Sequence, residues 1–131
     1  MNSSNLCILL IDDSALFIHR IKTLLTERYN DSLSIATAGC YEDGLTMFAL
    51  KTPHLIFLDI NLPDRTGIDL LMKVREKNRH VKIAMLTNND PGEYYETCMR
   101  LGADYYVEKS MGFDSITGIT DEALESLVKQ K

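Results

Sequence analysis

The feature that most constrains this chain is a run of six consecutive apolar residues, Leu6–Ile11. A strand that is apolar at every position is typical of a parallel sheet, where both faces of the strand are buried. Asp12, Asp13 and Ser14 follow, and these residue types are favoured at the start of a helix. Apolar residues then recur at helical spacing. The pattern predicts a buried strand that leads directly into a helix.

The same order of strand and then helix recurs along the whole chain. The predicted strands are Leu6–Ile11, Ser32–Ala38, Leu55–Leu58, Val81–Leu86 and Asp104–Val107. Such alternation with short connections is typical of α/β proteins with right-handed crossovers. It predicts a flavodoxin-like doubly wound parallel sheet of five strands with five helices. The usual strand order of that fold is 2-1-3-4-5, but periodicity alone leaves the order open.

The element boundaries give further expectations. The second strand alternates weakly, which favours an edge position in the sheet. The fourth helix is expected to begin near Pro91, a residue suited to a first helical turn, and to end near Leu101. Gly102 then suits the position after the helix. The last helix is predicted at about Phe113–Lys129.

Length and charge limit the classes of protein. We expect a single domain over residues 1–131, with a core at about 6–129 and no output domain in this chain. The net charge of −5 argues against nucleic-acid binding. The basic residues between positions 73 and 82 are interpreted as a solvated helix face. The three cysteines lack CxxC spacing, and no apolar stretch is long enough for a membrane span, so we expect a cytoplasmic protein.

Residues able to do chemistry follow several of the predicted strands. Asp12 and Asp13 end the first strand, Asp59 the third and Thr87 the fourth, while Lys109 follows the fifth. Ligands of open α/β sheets bind at the carboxyl ends of the strands. If the strand order is 2-1-3-4-5, these five side chains converge on one crevice.

Three neighbouring carboxylates repel one another and favour a bound cation. Mg²⁺ prefers oxygen ligands and keeps several waters, which leaves room for phosphate oxygens. The charge of Lys109 and the hydroxyl of Thr87 would stabilise a phosphoryl group in transfer. Asp59 closes a buried apolar strand and is the best candidate for a nucleophile that forms an acyl phosphate.

Each of these residues has a simpler interpretation when it is taken alone. Asp12 and Asp13 suit helix capping, Thr87 suits a cap or turn, and Lys109 suits a solvated charge. Their joint placement at the ends of different strands favours a shared site instead.

The chain resembles the receiver domain of two-component response regulators along nearly its whole length. The resemblance rests on LLIDDS at the acidic pair, LIFLDINLPDRTGIDLL around Asp59, MLTN at Thr87 and LGADYYVEKS before the last helix. It is similar to the stand-alone, chemotaxis-regulator type of receiver. The resemblance implies a signalling switch and no enzyme activity beyond the domain's own phosphorylation and dephosphorylation.

The resemblance also implies roles for single residues. Asp59 would be the phosphoacceptor. Asp13, Asp59 and the backbone carbonyl of Asn61 would bind Mg²⁺ directly, and Asp12 would act through a water. Lys109 would pair with a phosphoryl oxygen.

Thr87 would be the switch hydroxyl, and Tyr106 the switch aromatic that turns inward when Thr87 moves. Two residues depart from the family pattern. Ser110 stands where proline is usual after a cis peptide, which leaves the isomer of the Lys109–Ser110 bond open. Asn88 stands where a smaller residue is usual, and its side chain could narrow access for the phosphodonor.

The implied partners are a histidine kinase or histidine phosphotransfer protein and a downstream protein target. Neither nucleic acid nor membrane is expected, and a homodimer through the fourth helix, fifth strand and fifth helix stays open. The main alternative is a pseudo-receiver, a protein-interaction module that works without phosphorylation. A flavodoxin is disfavoured because Asp12 and Asp13 would repel the flavin phosphate. A phosphatase of the haloacid dehalogenase type would carry its nucleophile after the first strand.

Overall fold

Strands and helices alternate along the part of the chain that this computed structural model describes, residues 5–88 and 92–129. The strands are β1 (Leu6–Ile11), β2 (Leu33–Ala38), β3 (Leu55–Asp59), β4 (Lys82–Thr87) and β5 (Tyr105–Glu108). The helices are α1 (Ala15–Tyr29), α2 (Tyr41–Lys51), α3 (Gly67–Lys77), α4 (Tyr95–Arg100) and α5 (Asp114–Lys129). Short 3₁₀ turns cover Asn30–Ser32 and Lys109–Met111.

The five strands form one parallel sheet in the order β2-β1-β3-β4-β5. The predicted fold is therefore confirmed, including the edge position of β2. Ile11 pairs with Leu58 across β1 and β3, and Asp59 pairs with Leu86 across β3 and β4. This register places the carboxyl ends of the three central strands side by side, which is what the predicted site requires.

Two apolar clusters lie on the two faces of the sheet. Alternate residues of β1 enter them: Leu9 and Ile11 join the cluster under α2 and α3, whereas Ile8 and Leu10 join the cluster under α1 and α5. Each fully buried aliphatic side chain contributes about 1.5–3 kcal/mol relative to an exposed one. The uninterrupted apolar run of β1 follows directly from this burial on both faces. Leu16, the first of the apolar residues that recur at helical spacing after β1, is nevertheless 60% exposed.

The ends of the helices carry most of the capping residues that the sequence indicates. Ser14 is the N-cap of α1, and its Oγ accepts a hydrogen bond from Phe17 N at 3.2 Å. Gly102, at φ +112°, follows α4 as expected. The predicted helix start at Pro91 lies outside the described residues, and α4 begins at Tyr95.

Arg75 corrects the interpretation of the basic segment as a solvated face. Its guanidinium donates to the carbonyl oxygens of Gly102 at 2.9 Å, Asn78 at 3.1 Å and Val81 at 2.7 Å. It also donates to Asp104 Oδ2 at 3.0 Å, and only 14% of its side chain is exposed. Arg75 therefore ties the end of α3 to the segment before β4 and to the segment before β5. The planar fork of arginine suits such multiple contacts.

Replacing Arg75 by methionine should lower the free energy of unfolding by about 3 kcal/mol, because three carbonyls lose their donor and the Asp104 carboxylate loses its charged partner, although it keeps the Ile83 N–H at 2.9 Å. Lys73→Met is the matched control on the same helix, since Lys73 is 42% exposed and pairs only loosely with Glu76. The control should change stability by less than about 0.5 kcal/mol. Urea denaturation measures both values, and equal losses would contradict the role given to Arg75.

Candidate functional site

Three carboxylates meet at the carboxyl end of the sheet. Asp12 follows β1, Asp13 lies beside it, and Asp59 ends β3. Oxygen atoms of all three lie within 4.8 Å of one another. Asp12 and Asp59 are each only 1% exposed, whereas Asp13 is open to solvent. The structure thus brings together the acidic residues that the sequence analysis singled out.

Lys109 lies against this cluster. Its Nζ is 2.5 Å from Asp12 Oδ2 and 3.6 Å from Asp59 Oδ1, and 10% of its side chain is exposed. The same ammonium lies 4.7 Å from the centre of the Phe17 ring. Lys109 is therefore no solvated surface charge, because it offsets two buried carboxylates.

Asp59 is held with its carboxylate toward the cluster. Its Oδ1 accepts a hydrogen bond from Asn61 N at 3.2 Å, across the turn that follows β3. Burial, together with the nearby charge of Asp12, raises the pKa of Asp59 from 3.8 to about 6, although Lys109 and the Asn61 N–H act in the opposite direction. A buried carboxylate with a raised pKa stores electrostatic free energy that a cation would release.

The donor set fits Mg²⁺. The three acidic side chains offer oxygen ligands, and no histidine or cysteine belongs to this cluster among the described residues. Asp12 Oδ1 accepts a hydrogen bond from Ser14 N at 2.8 Å. The buried Asp12 Oδ2 forms the ion pair with Lys109 but accepts no hydrogen bond within the described residues. Asn61 is exposed two residues after Asp59, and metal binding by its carbonyl stays a prediction.

Thr87 and Tyr106 lie at the ends of the neighbouring strands. Thr87 is the last residue of β4 and is 2% exposed, directly after the residue that pairs with Asp59. Tyr106 of β5 is half-buried against the core, and its ring meets Tyr95 edge to face at 5.4 Å between centroids. Their switching roles stay predictions. The described part of the chain contains no cis peptide, so the Lys109–Ser110 bond is trans.

Gly67 is a residue of the site that the sequence analysis missed. A Cβ at this position would lie 2.0 Å from the carbonyl oxygen of Asp59, which is far inside van der Waals contact. Its N–H donates to Ile60 O at 2.7 Å and closes the base of the loop between β3 and α3. A glycine just before a helical pattern was the only signal in the sequence, and it does not reveal this close approach.

Asp59→Asn should stabilise the metal-free protein at neutral pH. The pKa of Asp59 is raised by folding, so between about pH 4 and 6 the folded state binds more protons than the unfolded state. The free energy that protonated Asp59 contributes to folding is fully present below the pKa of this group in the unfolded chain. It is lost as the pH rises through about 6, the pKa of Asp59 in the folded protein. The asparagine side chain does not titrate and has no such loss, so near pH 7.5 with EDTA the variant should gain on the order of 2 kcal/mol.

Thermal unfolding across pH 4–8 measures this difference, which should shrink toward about pH 4 and on addition of Mg²⁺. Asp31→Asn, at an exposed position, is the control for removal of one negative charge. If the difference in stability between Asp59→Asn and the wild type were the same at every pH, the raised pKa of Asp59 would be contradicted.

Comparison with known proteins agrees with this geometry. The family model "Response regulator receiver domain" matches residues 8–121. The nitrate/nitrite response regulator NarL of Escherichia coli is 32% identical over 110 residues, which are 84% of this chain and 50% of NarL. The transcriptional regulatory protein MctR of Rhizobium johnstonii is 30% identical over 109 residues, 83% of this chain and 50% of MctR. The chain thus spans about half the length of these curated relatives.

Solved structures share the fold. The CheY-like receiver domain protein of Methanospirillum hungatei superposes with a TM-score of 0.85 at 24% identity, over 97% of this chain and 99% of that one. The receiver domain of a LuxO repressor from Vibrio parahaemolyticus also gives 0.85, at 20% identity over 96% and 95% of the two chains. At these identities the likeness concerns the fold alone.

Across the described ranges, 5–88 and 92–129, no helix combines the length and the apolar character that a membrane crossing requires. Receiver domains are signalling modules that interact with histidine kinases or phosphotransfer proteins and with downstream targets. They typically bind Mg²⁺ at an acidic pocket. On the match over residues 8–121, this chain belongs to the response regulator receiver domain family.

Proposed function

We propose that this chain is a phosphorylation-activated receiver of a two-component phosphorelay, with Asp59 as the phosphoacceptor. The observation that carries this proposal is the contact of a buried Asp59 with Lys109, at 3.6 Å, beside two further carboxylates. A purely structural carboxylate at this depth would be costly unless it were compensated. Here the compensation is partial, since the pKa of Asp59 remains raised.

In this proposal a carboxylate oxygen of Asp59 attacks the phosphorus atom of a phosphohistidine. The new O–P bond forms as the N–P bond breaks, and the electron pair of that bond stays on the departing imidazole. The reaction needs ionised Asp59, which predominates at neutral pH because its pKa is about 6. Lys109 is already within reach to offset charge on the transferred group.

Asp13, Asp59 and the carbonyl of Asn61 would hold the cation, with Asp12 acting through a water. Bound Mg²⁺ would neutralise negative charge on the phosphoryl oxygens. The contribution of the chain itself is the fixed spacing of the acidic groups, which the pairing of β1 and β3 sets.

A groove of about 320 Å³ beside Lys109 supports access by a protein phosphodonor. Leu16, Phe17 and Phe113 line it. The 60% exposure of Leu16 would then have a role, because an exposed apolar side chain beside Lys109 offers part of a docking surface.

Phosphorylation would act as a switch through charge. It adds about −1.5 to −2 at Asp59, and Lys109 would then be shared between Asp12 and the phosphoryl oxygens. Thr87 would donate to the new group, and Tyr106 would follow it inward from its contact with Tyr95. Changing the ratio of active to inactive conformation from 1:99 to 99:1 needs about 5.5 kcal/mol of differential stabilisation.

The proposed partners are a histidine kinase or phosphotransfer protein and a downstream protein target, in the cytoplasm. Residues 1–131 carry a net charge of −5, which disfavours nucleic acid as the ligand of this domain. The surface of α4, β5 and α5 is the candidate for target binding or for a homodimer. Catalysis would be limited to the domain's own phosphorylation and dephosphorylation.

The first test is phosphoryl uptake from acetyl phosphate with Mg²⁺. The wild-type chain should gain one phosphoryl group in intact-protein mass spectrometry, and Asp59→Asn should gain none because it lacks the nucleophile. EDTA should suppress uptake by the wild type. Asp31→Asn, at an exposed aspartate just after α1, should react like the wild type. Normal uptake by Asp59→Asn would refute the assignment.

The alternative is a pseudo-receiver that binds partners without phosphorylation. The observation in its favour is the 2.5 Å ion pair of Lys109 with Asp12, which can stand as a purely structural contact. Pull-down with and without beryllofluoride, a mimic of the phosphoryl group, separates the two functions. We expect the set of bound proteins to change for the wild type and to stay constant for Asp59→Asn. An unchanged set for both would favour the pseudo-receiver.

A further inference from the structure

The loop of residues 60–66, which joins β3 to α3 and carries Asn61, is fastened to a different helix. Asp64 Oδ1 accepts a hydrogen bond from Tyr41 N at 2.8 Å, and Asp64 Oδ2 accepts one from Glu42 N at 3.1 Å. Tyr41 and Glu42 are the first two residues of α2, whose N–H groups have no partner within the helix. Asp64 therefore caps α2 from another part of the chain.

The local sequence of α2 offers only a weak cap of its own. The N-cap position holds Cys40, and its sulfur accepts from Asp43 N at 3.4 Å. Sulfur is a weak acceptor, whereas a carboxylate is a strong one and also suits the positive end of the helix dipole. The hydrogen bond from Tyr41 N lowers the pKa of Asp64, with further N–H donors acting in the same direction against partial desolvation.

A second contact joins the same loop to the same helix turn. The guanidinium of Arg65 lies 4.4 Å from the centre of the Tyr41 ring, and Tyr41 is only 2% exposed. The base of the loop is closed by the Gly67 N to Ile60 O hydrogen bond. Asn61 thus lies in a loop that is held both at its base and at its far side.

The start of α2 is also fixed relative to the acidic cluster. Asp12 N donates to Ala38 O at 3.0 Å, at the end of β2, three residues before α2 begins. Asp64 therefore links the 60–66 loop to the start of α2, which follows directly on the end of β2 that is hydrogen-bonded to Asp12. The Asp12 side and the Asp59 side of the proposed cation site are thus connected by hydrogen bonds that lie outside the site itself.

We propose that Asp64 is a positioning residue, whose two hydrogen bonds to the first turn of α2 hold the 60–66 loop so that the Asn61 carbonyl and Asp59 present a preformed cation site. The proposal deepens the proposed function and rests on it, because the position of Asn61 matters only if the cluster binds Mg²⁺. Asp64 touches neither the cation nor the phosphoryl group in this proposal.

The test compares Mg²⁺ affinity, measured by isothermal titration calorimetry, with thermal stability measured without the metal. Asp64→Ala should weaken Mg²⁺ binding about 10-fold, since loss of groups that orient metal ligands typically costs 10–100-fold. Asp64→Asn keeps one side-chain oxygen acceptor, so its affinity should lie between those of the wild type and Asp64→Ala.

Thr66→Ala is the matched control. Thr66 lies in the same loop and caps α3 by accepting from Asp69 N at 3.1 Å, so its loss also removes a helix cap. It has no hydrogen bond to α2 in the described structure. We expect Thr66→Ala to lower the melting temperature while changing Mg²⁺ affinity less than about 2-fold, the size of an effect that leaves ligand positions intact.

The possible outcomes are distinct. If the wild type binds Mg²⁺ and Asp64→Ala binds it equally well, the positioning role is wrong and the proposed function stands. Equal weakening by Asp64→Ala and Thr66→Ala would also overturn it, because the effect would then reflect general loosening of the loop. A wild type that does not bind Mg²⁺ would defeat the proposed function together with this inference.

Discussion

The mutual repulsion of three carboxylates is the constraint on which the rest of the site depends. Two of them, Asp12 and Asp59, are almost fully buried, and water screens neither. Lys109 offsets part of the charge, but the pKa of Asp59 stays near 6 because burial and Asp12 outweigh it. The fold therefore tolerates a site that is electrostatically incomplete at neutral pH. The uncompensated negative charge of such a site favours a cation next to the carboxylates.

The topology of the sheet concentrates this charge at one point. Because β1 lies between β2 and β3, its end and that of β3 are neighbours although the two strands are far apart in sequence. The apolar clusters on both faces make the central strands rigid, and rigid strands hold the carboxylates at short spacing against their repulsion. The free energy gained by burying the sheet thus offsets the repulsion between the carboxylates at the carboxyl ends of its strands.

The sequence predicts those parts of the molecule that depend on local pattern or on strand order. The run Leu6–Ile11 is a strand over its full predicted length, and the converging positions of Asp59 and Lys109 follow from the fold. What escaped prediction depends on contacts between distant segments. The carbonyls bound by Arg75 and the close approach of Gly67 to Asp59 leave no periodic trace. Leu16 has helical spacing yet faces solvent, since spacing alone does not say where the apolar stripe ends.

Lys109 connects the resting charge balance to the proposed switch. Its ammonium is closer to Asp12, at 2.5 Å, than to Asp59, at 3.6 Å, so in the described state its stronger contact is with a residue that receives no phosphoryl group. Added negative charge at Asp59 would shift that balance, and Lys109 follows β5 directly in the chain. Arg75 holds the opposite, amino-terminal side of β4 and β5 through Val81 and Asp104. In the proposed switch, the change in charge would therefore act at the carboxyl ends of β4 and β5, while Arg75 fastens the segments at their amino-terminal ends.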